Sequence, residues 1–264
     1  MKASLPMYLG PGTAVQDWWT VIAGLLAKRL EEPVPAVLSQ PQDLYSHWQD
    51  ADLLLSQTCG YPLSTALRHK VQLVGTFAYR APGAEGIRCR SQLIRRSSDA
   101  RTSLTQFANS TLAFNGRDSQ SGFNAPRALL AEAGAPDPFF GSMQESGGHN
   151  TSIEWVRTGR ADMASIDCVT LELWRRANPA LSADIAVFAQ TGAYPGLPLI
   201  TSLQTPAQTV SALRECLALV ATDAQYAELR APLLISGFET TTLDDYAVCL
   251  HMEQAGAGQM RAQA

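Results

Sequence analysis

The stretch Phe114-Asn115-Gly116-Arg117-Asp118-Ser119-Gln120-Ser121-Gly122 places two hydroxyls and two glycines between an apolar run, LAFN, and a segment that reads as helix. That helix is expected to start near Ser121 to Phe123 and to run through Leu130. A helix start leaves its first backbone N–H groups unpaired and carries a partial positive charge, so a tetrahedral oxyanion there would meet several donors at once. Ser119 and Ser121 would add hydroxyl donors. A serine at this place also serves as a plain helix cap, a role worth about 1 kcal/mol. The local pattern leaves both readings open.

Three further clusters share the same design. Gln144-Glu145-Ser146-Gly147-Gly148-His149-Asn150-Thr151-Ser152 is a polar turn opening an amphipathic helix, in which His149 is either structural or a donor to an oxyanion. In Ala164-Ser165-Ile166-Asp167-Cys168 an acid closes a small, apolar strand. Asp167 there would cap the following helix or accept from a ligand. In Ser56-Gln57-Thr58-Cys59-Gly60-Tyr61-Pro62, polar groups follow the apolar Leu53-Leu54-Leu55. Ligands of open α/β sheets bind beyond the carboxyl ends of strands, so four such strand ends, each followed by a helix, point to a shared site.

Other chemistries lose their signatures. The serine turn has no Walker lysine and is not G-x-S-x-G, and no G-x-G-x-x-G follows a strand. The four histidines are far apart and none has a carboxylate at ligand spacing, so neither a metal nor another cofactor is expected.

The elements that must position these residues follow from periodicity. Short apolar or alternating runs, ASLPMYL, DLLLSQT, VQLVGTFAY, RSQLIRR, STLAFN, ADMASID, DIAVFAQT and LPLITS, alternate with helix-like segments such as 15–31 and 205–220. That alternation indicates α/β architecture. In the first long helix Trp18, Ile22, Leu25, Leu26 and Leu30 fall on one face, as core packing requires. The runs around 90–96 and 185–200 are extended and could cross between two interwoven lobes. Lobe 1 is then expected over 1–94 plus 191–264, and lobe 2 over 95–190. The tail AGAGQMRAQA can bury little.

Bulk properties narrow the class further. A chain of 264 residues, 46% hydrophobic and 17% charged with a net charge of −4, suits a globular protein. Its acidic balance gives no reason to expect a nucleic-acid partner, and no apolar span reaches membrane length. Five scattered cysteines read as reduced thiols. The N-terminus MKASLPMYLG lacks an apolar core of signal-peptide length, so the expected location is cytoplasmic, or periplasmic if a leader has been removed.

Taken in order, SLPMY, DLLLSQTCGYPL, the PGAEG turn with RSQLIRR, LAFNGRDSQSG, FFGSMQESGGHNTSIEWVRTGRADMASID and PGLPLITS resemble the phosphate, phosphite and phosphonate branch of periplasmic substrate-binding proteins. The resemblance covers residues 3 to 250. It implies the type II binding-protein fold: two α/β lobes with mixed sheets flanked by helices, joined by two crossing hinge strands, with a ligand closed between them. It also implies that the S-x-S-G turn, Ser119, Gln120 and Ser121, grips the phosphoryl oxygens and that His149 contacts the same oxyanion. Tyr8, Gln57 and Tyr61 would close the other side. Aminophosphonate binders of this kind hold the amine with acids, one of them near the second crossing, where this chain reads Thr191-Gly192-Ala193-Tyr194-Pro195-Gly196-Leu197. Only Asp167 is left for that role, so a small oxyanion such as phosphate, phosphite or a simple alkylphosphonate is the expected ligand. An ABC permease is the partner the resemblance implies; a cytosolic sensor or scavenger would bind in the same way. The competing reading is a cytosolic enzyme on the same fold acting on a small organic anion, with His149 as general base and Asp167 as its partner. A carboxylate ligand is the third.

Overall fold

The computed structural model describes residues 1–8 and 10–259. Leu9 of the first apolar run and residues 260–264 of the expected tail lie outside the described residues. The chain divides into two compact units. Unit 1 comprises Met1–Arg80, Ala84–Arg88 and Pro195–Tyr246, and unit 2 comprises Ala81–Gly83, Cys89–Tyr194 and the chain from Ala247 on.

Unit 1 is built on a five-stranded mixed sheet in the order Lys2–Ser4, Leu53–Gln57, Pro198–Ser202, Val71–Tyr79, Ile235–Glu239. The first two strands run parallel, and each later pair is antiparallel. All five residues of Leu53–Gln57 are buried, as a central strand covered on both faces requires. Helix Ala14–Leu30 buries Trp18, Trp19, Ile22, Ala23 and Leu26, whereas Leu25 and Leu30 of the expected face are only half buried. Trp19 turns inward because its indole N–H finds the carbonyl of Pro35 at 2.8 Å, which offsets the cost of burying that donor.

Unit 2 holds a second five-stranded mixed sheet, ordered Ile185–Gln190, Ser91–Arg96, Met163–Asp167, Thr111–Phe114, Ser142–Glu145. Strand alternation gives it two apolar faces. Leu93, Leu112, Phe114 and Met163 meet Phe107, Phe123 and Leu130 on one face. Ile94, Ala113, Ala164 and Ile166 meet Ile153, Val156, Leu171 and Trp174 on the other. The last three strands of the order run parallel, so their carboxyl ends share one edge.

The units differ from the expected lobes at residues 81–83, 89–94, 191–194 and from 247 on, all of which belong to unit 2. Strand Ser91–Arg96 does not cross between units: it is hydrogen-bonded on both sides within the unit 2 sheet, to Ile185–Gln190 and to Met163–Asp167. Helix Ala247–Ala255, expected in lobe 1, belongs to unit 2. A Cβ built at Gly256 would lie 2.5 Å from Cβ of Arg127, so the glycine permits this close approach. Among the described residues no helix is long and apolar enough to cross a membrane.

Candidate functional site

Each of the three parallel strands of unit 2 ends in a polar turn and a helix start. After Thr111–Phe114 comes the serine turn. Ser119 Oγ accepts from the N–H of Gly122 at 3.0 Å, a helix cap. The first helical turn is wide, with the N–H of Asn124 donating to the carbonyl of Ser119, five residues back, at 3.0 Å. It continues as helix Ala125–Glu132. Ser121 is not a cap: its Oγ lies 2.7 Å from His149 Nε2 and 3.4 Å from Ser119 Oγ.

His149 arrives from the second turn. The N–H of Ser146 donates to the carbonyl of Phe114 at 2.8 Å, joining that turn to the strand end that precedes the serines. Gly147 sits at φ 80°, a conformation that favours glycine, and Gly148 caps helix His149–Thr158. Burial pushes the His149 imidazole from its ordinary 6.5 down to about 4, so it is neutral near pH 7. Its Nδ1 and the Oδ1 of Asn115 are both buried without a hydrogen-bond partner among the described residues. They belong to one neighbourhood, since a Cβ added at Gly122 would fall 1.9 Å from Asn115 Oδ1 and 3.3 Å from His149 Cε1. Buried polar atoms without partners are rare in proteins, so two in one neighbourhood set this turn apart from an ordinary helix cap.

The third turn carries Asp167, whose Oδ1 accepts from the N–H groups of Val169 at 2.9 Å and Thr170 at 3.0 Å. This is capping of helix Cys168–Ala177, the commoner of the two roles open to it. Asp167 does not orient His149, whose Nε2 is given to Ser121 and whose Nδ1 has no partner among the described residues. The expected pairing of general base and acid is therefore absent from this geometry. Gln120 also departs from expectation. Its side chain is buried and its Nε2 donates to the sulfur of Met252 at 3.0 Å, so it faces the last helix rather than the serine hydroxyls.

In unit 1, Gln57 and Tyr8 converge on Tyr79, a residue that sequence reasoning missed. Gln57 Nε2 donates to the Tyr79 hydroxyl at 3.2 Å, and the Tyr8 and Tyr79 rings meet edge-on at 5.1 Å. Tyr79 ends an apolar strand, which is the signal that could have found it. Tyr61 sits half buried on the short helix Gly60–Ser64. Thr58, immediately after Gln57, has a buried hydroxyl with no partner among the described residues.

Among the described residues no group of three or more His, Cys, Asp or Glu could hold a metal ion. A separate recess of about 220 Å³ in unit 2, lined in part by Gln92, Cys168, Glu172, Arg175 and Gln190, contains none of the expected site residues.

Comparisons with known proteins bear on this geometry. A family model described as ABC transporter, phosphonate, periplasmic substrate-binding protein matches residues 19–246. No curated protein matches the chain in sequence. Among solved structures the chain is similar to a binding protein component of an ABC phosphonate transporter from Pseudomonas aeruginosa. They share 14% identity over 100% of this chain and 91% of that one, with a TM-score of 0.75. PhnD1 from Prochlorococcus marinus, solved in complex with methylphosphonate, also shares 14% identity, over 96% of this chain and 97% of its own, with a TM-score of 0.75. XAC2383 from Xanthomonas citri, bound to ATP, shares 13% identity over 97% and 98% of the two chains, with a TM-score of 0.70.

Proposed function

We propose a function from one premise: the chain belongs to the phosphonate-binding family of periplasmic substrate-binding proteins of ABC transporters. Its fold is the type II binding-protein fold of mixed α/β sheets flanked by helices. On that premise the protein binds and releases a small phosphorus oxyanion, phosphate, phosphite or a simple alkylphosphonate, without making or breaking a covalent bond. A permease receives the anion from it.

The observation that carries this reading is the Ser121–His149 contact at a helix start, on the edge where three parallel strands end. Ser119 Oγ accepts from Gly122 and lies at a long 3.4 Å from Ser121 Oγ, so its proton can turn to a better acceptor such as an oxyanion. Ser121 and the neutral imidazole share one hydrogen bond, which leaves one proton of the pair, together with first-turn N–H groups, to donate to a tetrahedral oxyanion. The methylphosphonate complex of a protein with the same fold supports this ligand class. An amine-bearing ligand is disfavoured, because the segment 191–197 has no acid and one oxygen of Asp167 is spent on capping.

A serine 2.7 Å from a histidine is also the geometry of an activated nucleophile. Here the imidazole is held down to about 4 and no carboxylate among the described residues orients its Nδ1, so it is a poor base at neutral pH. Binding is the better use of the pair. Titration calorimetry with methylphosphonate tests this directly. The Ser119→Ala/Ser121→Ala double variant should bind at least about tenfold more weakly, the worth of one or two hydrogen bonds to a charged group. Unchanged affinity in a folded double variant would remove this turn from the account.

A further inference from the structure

The serine turn is held from behind by hydroxyls that no local motif announces. The carbonyl of Ser121 accepts from Ser91 Oγ at 2.8 Å and from Ser165 Oγ at 2.8 Å. Both serines lie on adjacent strands of the unit 2 sheet, Ser91 opposite Asp167 and Ser165 two residues before it. Ser91 Oγ is in turn 2.6 Å from the hydroxyl of Tyr194. All three side chains are buried.

The direction of these bonds is fixed. A carbonyl only accepts, so the single proton of Ser91 points at Ser121 and its oxygen accepts from the phenol. Burial first, and then the nearby charge of Asp167, keep the Tyr194 phenol protonated by pushing it well above its ordinary range. The relay therefore runs from Tyr194 O–H through Ser91 O–H to the carbonyl of Ser121, which Ser165 holds from a second strand.

The backbone of Ser91 is fastened to the same segment as Tyr194. Its N–H donates to Thr191 Oγ1 at 3.0 Å, and its carbonyl accepts from the N–H of Thr191 at 3.1 Å. Tyr194 is the last residue of unit 2 before the chain enters unit 1 at Pro195.

The peptide between Ser121 and Gly122 is thus bonded at both ends, its carbonyl to two serines and its N–H to Ser119 Oγ. Rotating that peptide would break three hydrogen bonds at once and separate Ser119 from Ser121. We infer that Ser91, Ser165 and Tyr194 are positioning residues of the anion site. They fix the Ser121–Gly122 peptide so that the two serine hydroxyls face the ligand together, and Tyr194 ties that fixation to the segment where the chain leaves unit 2. The inference rests on the oxyanion-binding reading of the turn.

Its test combines methylphosphonate affinity with a measurement that needs no ligand, hydrogen exchange at the Gly122 amide. Ser91→Ala, Ser165→Ala and Tyr194→Phe are each expected to weaken binding about threefold to tenfold, as loss of one buried hydrogen bond does. The Ser91→Ala/Ser165→Ala double variant leaves the Ser121 carbonyl without either hydroxyl. It should lose at least about thirtyfold, and Gly122 exchange should speed at least about tenfold while amides of Leu53–Gln57 in unit 1 keep their protection. Tyr194→Phe deletes a single oxygen and leaves the ring in place, so it carries the test if the double variant does not fold. Native affinity together with native Gly122 exchange in the double variant, or in Tyr194→Phe where the double variant does not fold, would overturn the inference. If the unaltered protein bound no phosphorus oxyanion, the functional reading would fail, while Gly122 exchange would still decide whether these residues hold the turn.

Discussion

Ser119 and Ser121 stand two residues apart and divide two tasks: Ser119 caps the helix, and Ser121 meets the imidazole of His149. The neutrality of that imidazole has a measurable consequence. Because burial lowers its proton affinity to about 4 from 6.5, the unfolded chain takes up a proton that the folded protein refuses. The stability this residue contributes is therefore complete above about pH 6.5, is lost as pH falls toward about 4, and changes no further below that. His149→Gln keeps a donor toward Ser121 and cannot titrate. Thermal unfolding between about pH 7 and about pH 4.5 should then decline more steeply for the native protein than for the variant. Parallel declines would mean that the imidazole is not so buried. At this scale the serines and His149 were legible because glycine-flanked polar turns next to apolar runs are local patterns. The direction of Gln120 was not, because its partner Met252 lies 132 residues away in sequence. Ser91, Ser165 and Tyr194 were invisible for a similar reason: single hydroxyls on strands acquire meaning only from sheet register.

Three parallel strands bring the three unit 2 turns to one edge, and the helix starts that follow depend on their caps. Asp167 is the clearest case. Asp167→Ala removes an acceptor for two N–H groups and should cost about 0.5–2 kcal/mol in denaturant unfolding, whereas Asp167→Asn retains an acceptor and should cost less. Equal losses in the two variants would show that the charge of Asp167, and not its cap, stabilises helix Cys168–Ala177. Seven of the eight runs expected to be extended contain a strand, since their apolar or alternating patterns match burial on one or both sheet faces, while ASLPMYL only overlaps strand Lys2–Ser4. Five strands among the described residues escaped notice, three of them, Ala84–Glu85, Arg88–Cys89 and Tyr194–Pro195, being only two residues long and too short to carry a pattern. Ser142–Glu145 is an edge strand with no buried residue, so it needs no apolar pattern, and Ile235–Glu239 carries a glycine at its centre. That glycine weakens the strand signal without preventing the pairing with Val71–Tyr79.

On the scale of the whole molecule, two units of mixed α/β structure were legible from the alternation of runs, but their boundaries were not. The chain returns to unit 2 at its last helix, and nothing in the composition of that helix says which sheet it joins. A chain ended after Tyr246 would lose the buried side chains of Cys249 and Met252, the methionine alone being worth about 1.5–3 kcal/mol on burial. Its melting temperature should fall by at least about 5 °C, with exchange protection lost in the strands of unit 2 and kept in those of unit 1. Equal loss in both units would contradict the assignment of this helix. The central claim, that the molecule exists to hold a phosphorus oxyanion, is tested most directly by thermal unfolding of phosphate-free protein with phosphate, phosphite, methylphosphonate, aminoethylphosphonate, sulfate and small carboxylates. A ligand at about a hundred times its dissociation constant adds about 2.7 kcal/mol, enough to raise the melting temperature by several degrees. The account predicts a rise with at least one of phosphate, phosphite and methylphosphonate, a smaller one or none with aminoethylphosphonate, and none with sulfate or carboxylates. A flat response to all three phosphorus oxyanions, or a rise with carboxylates alone, would contradict it.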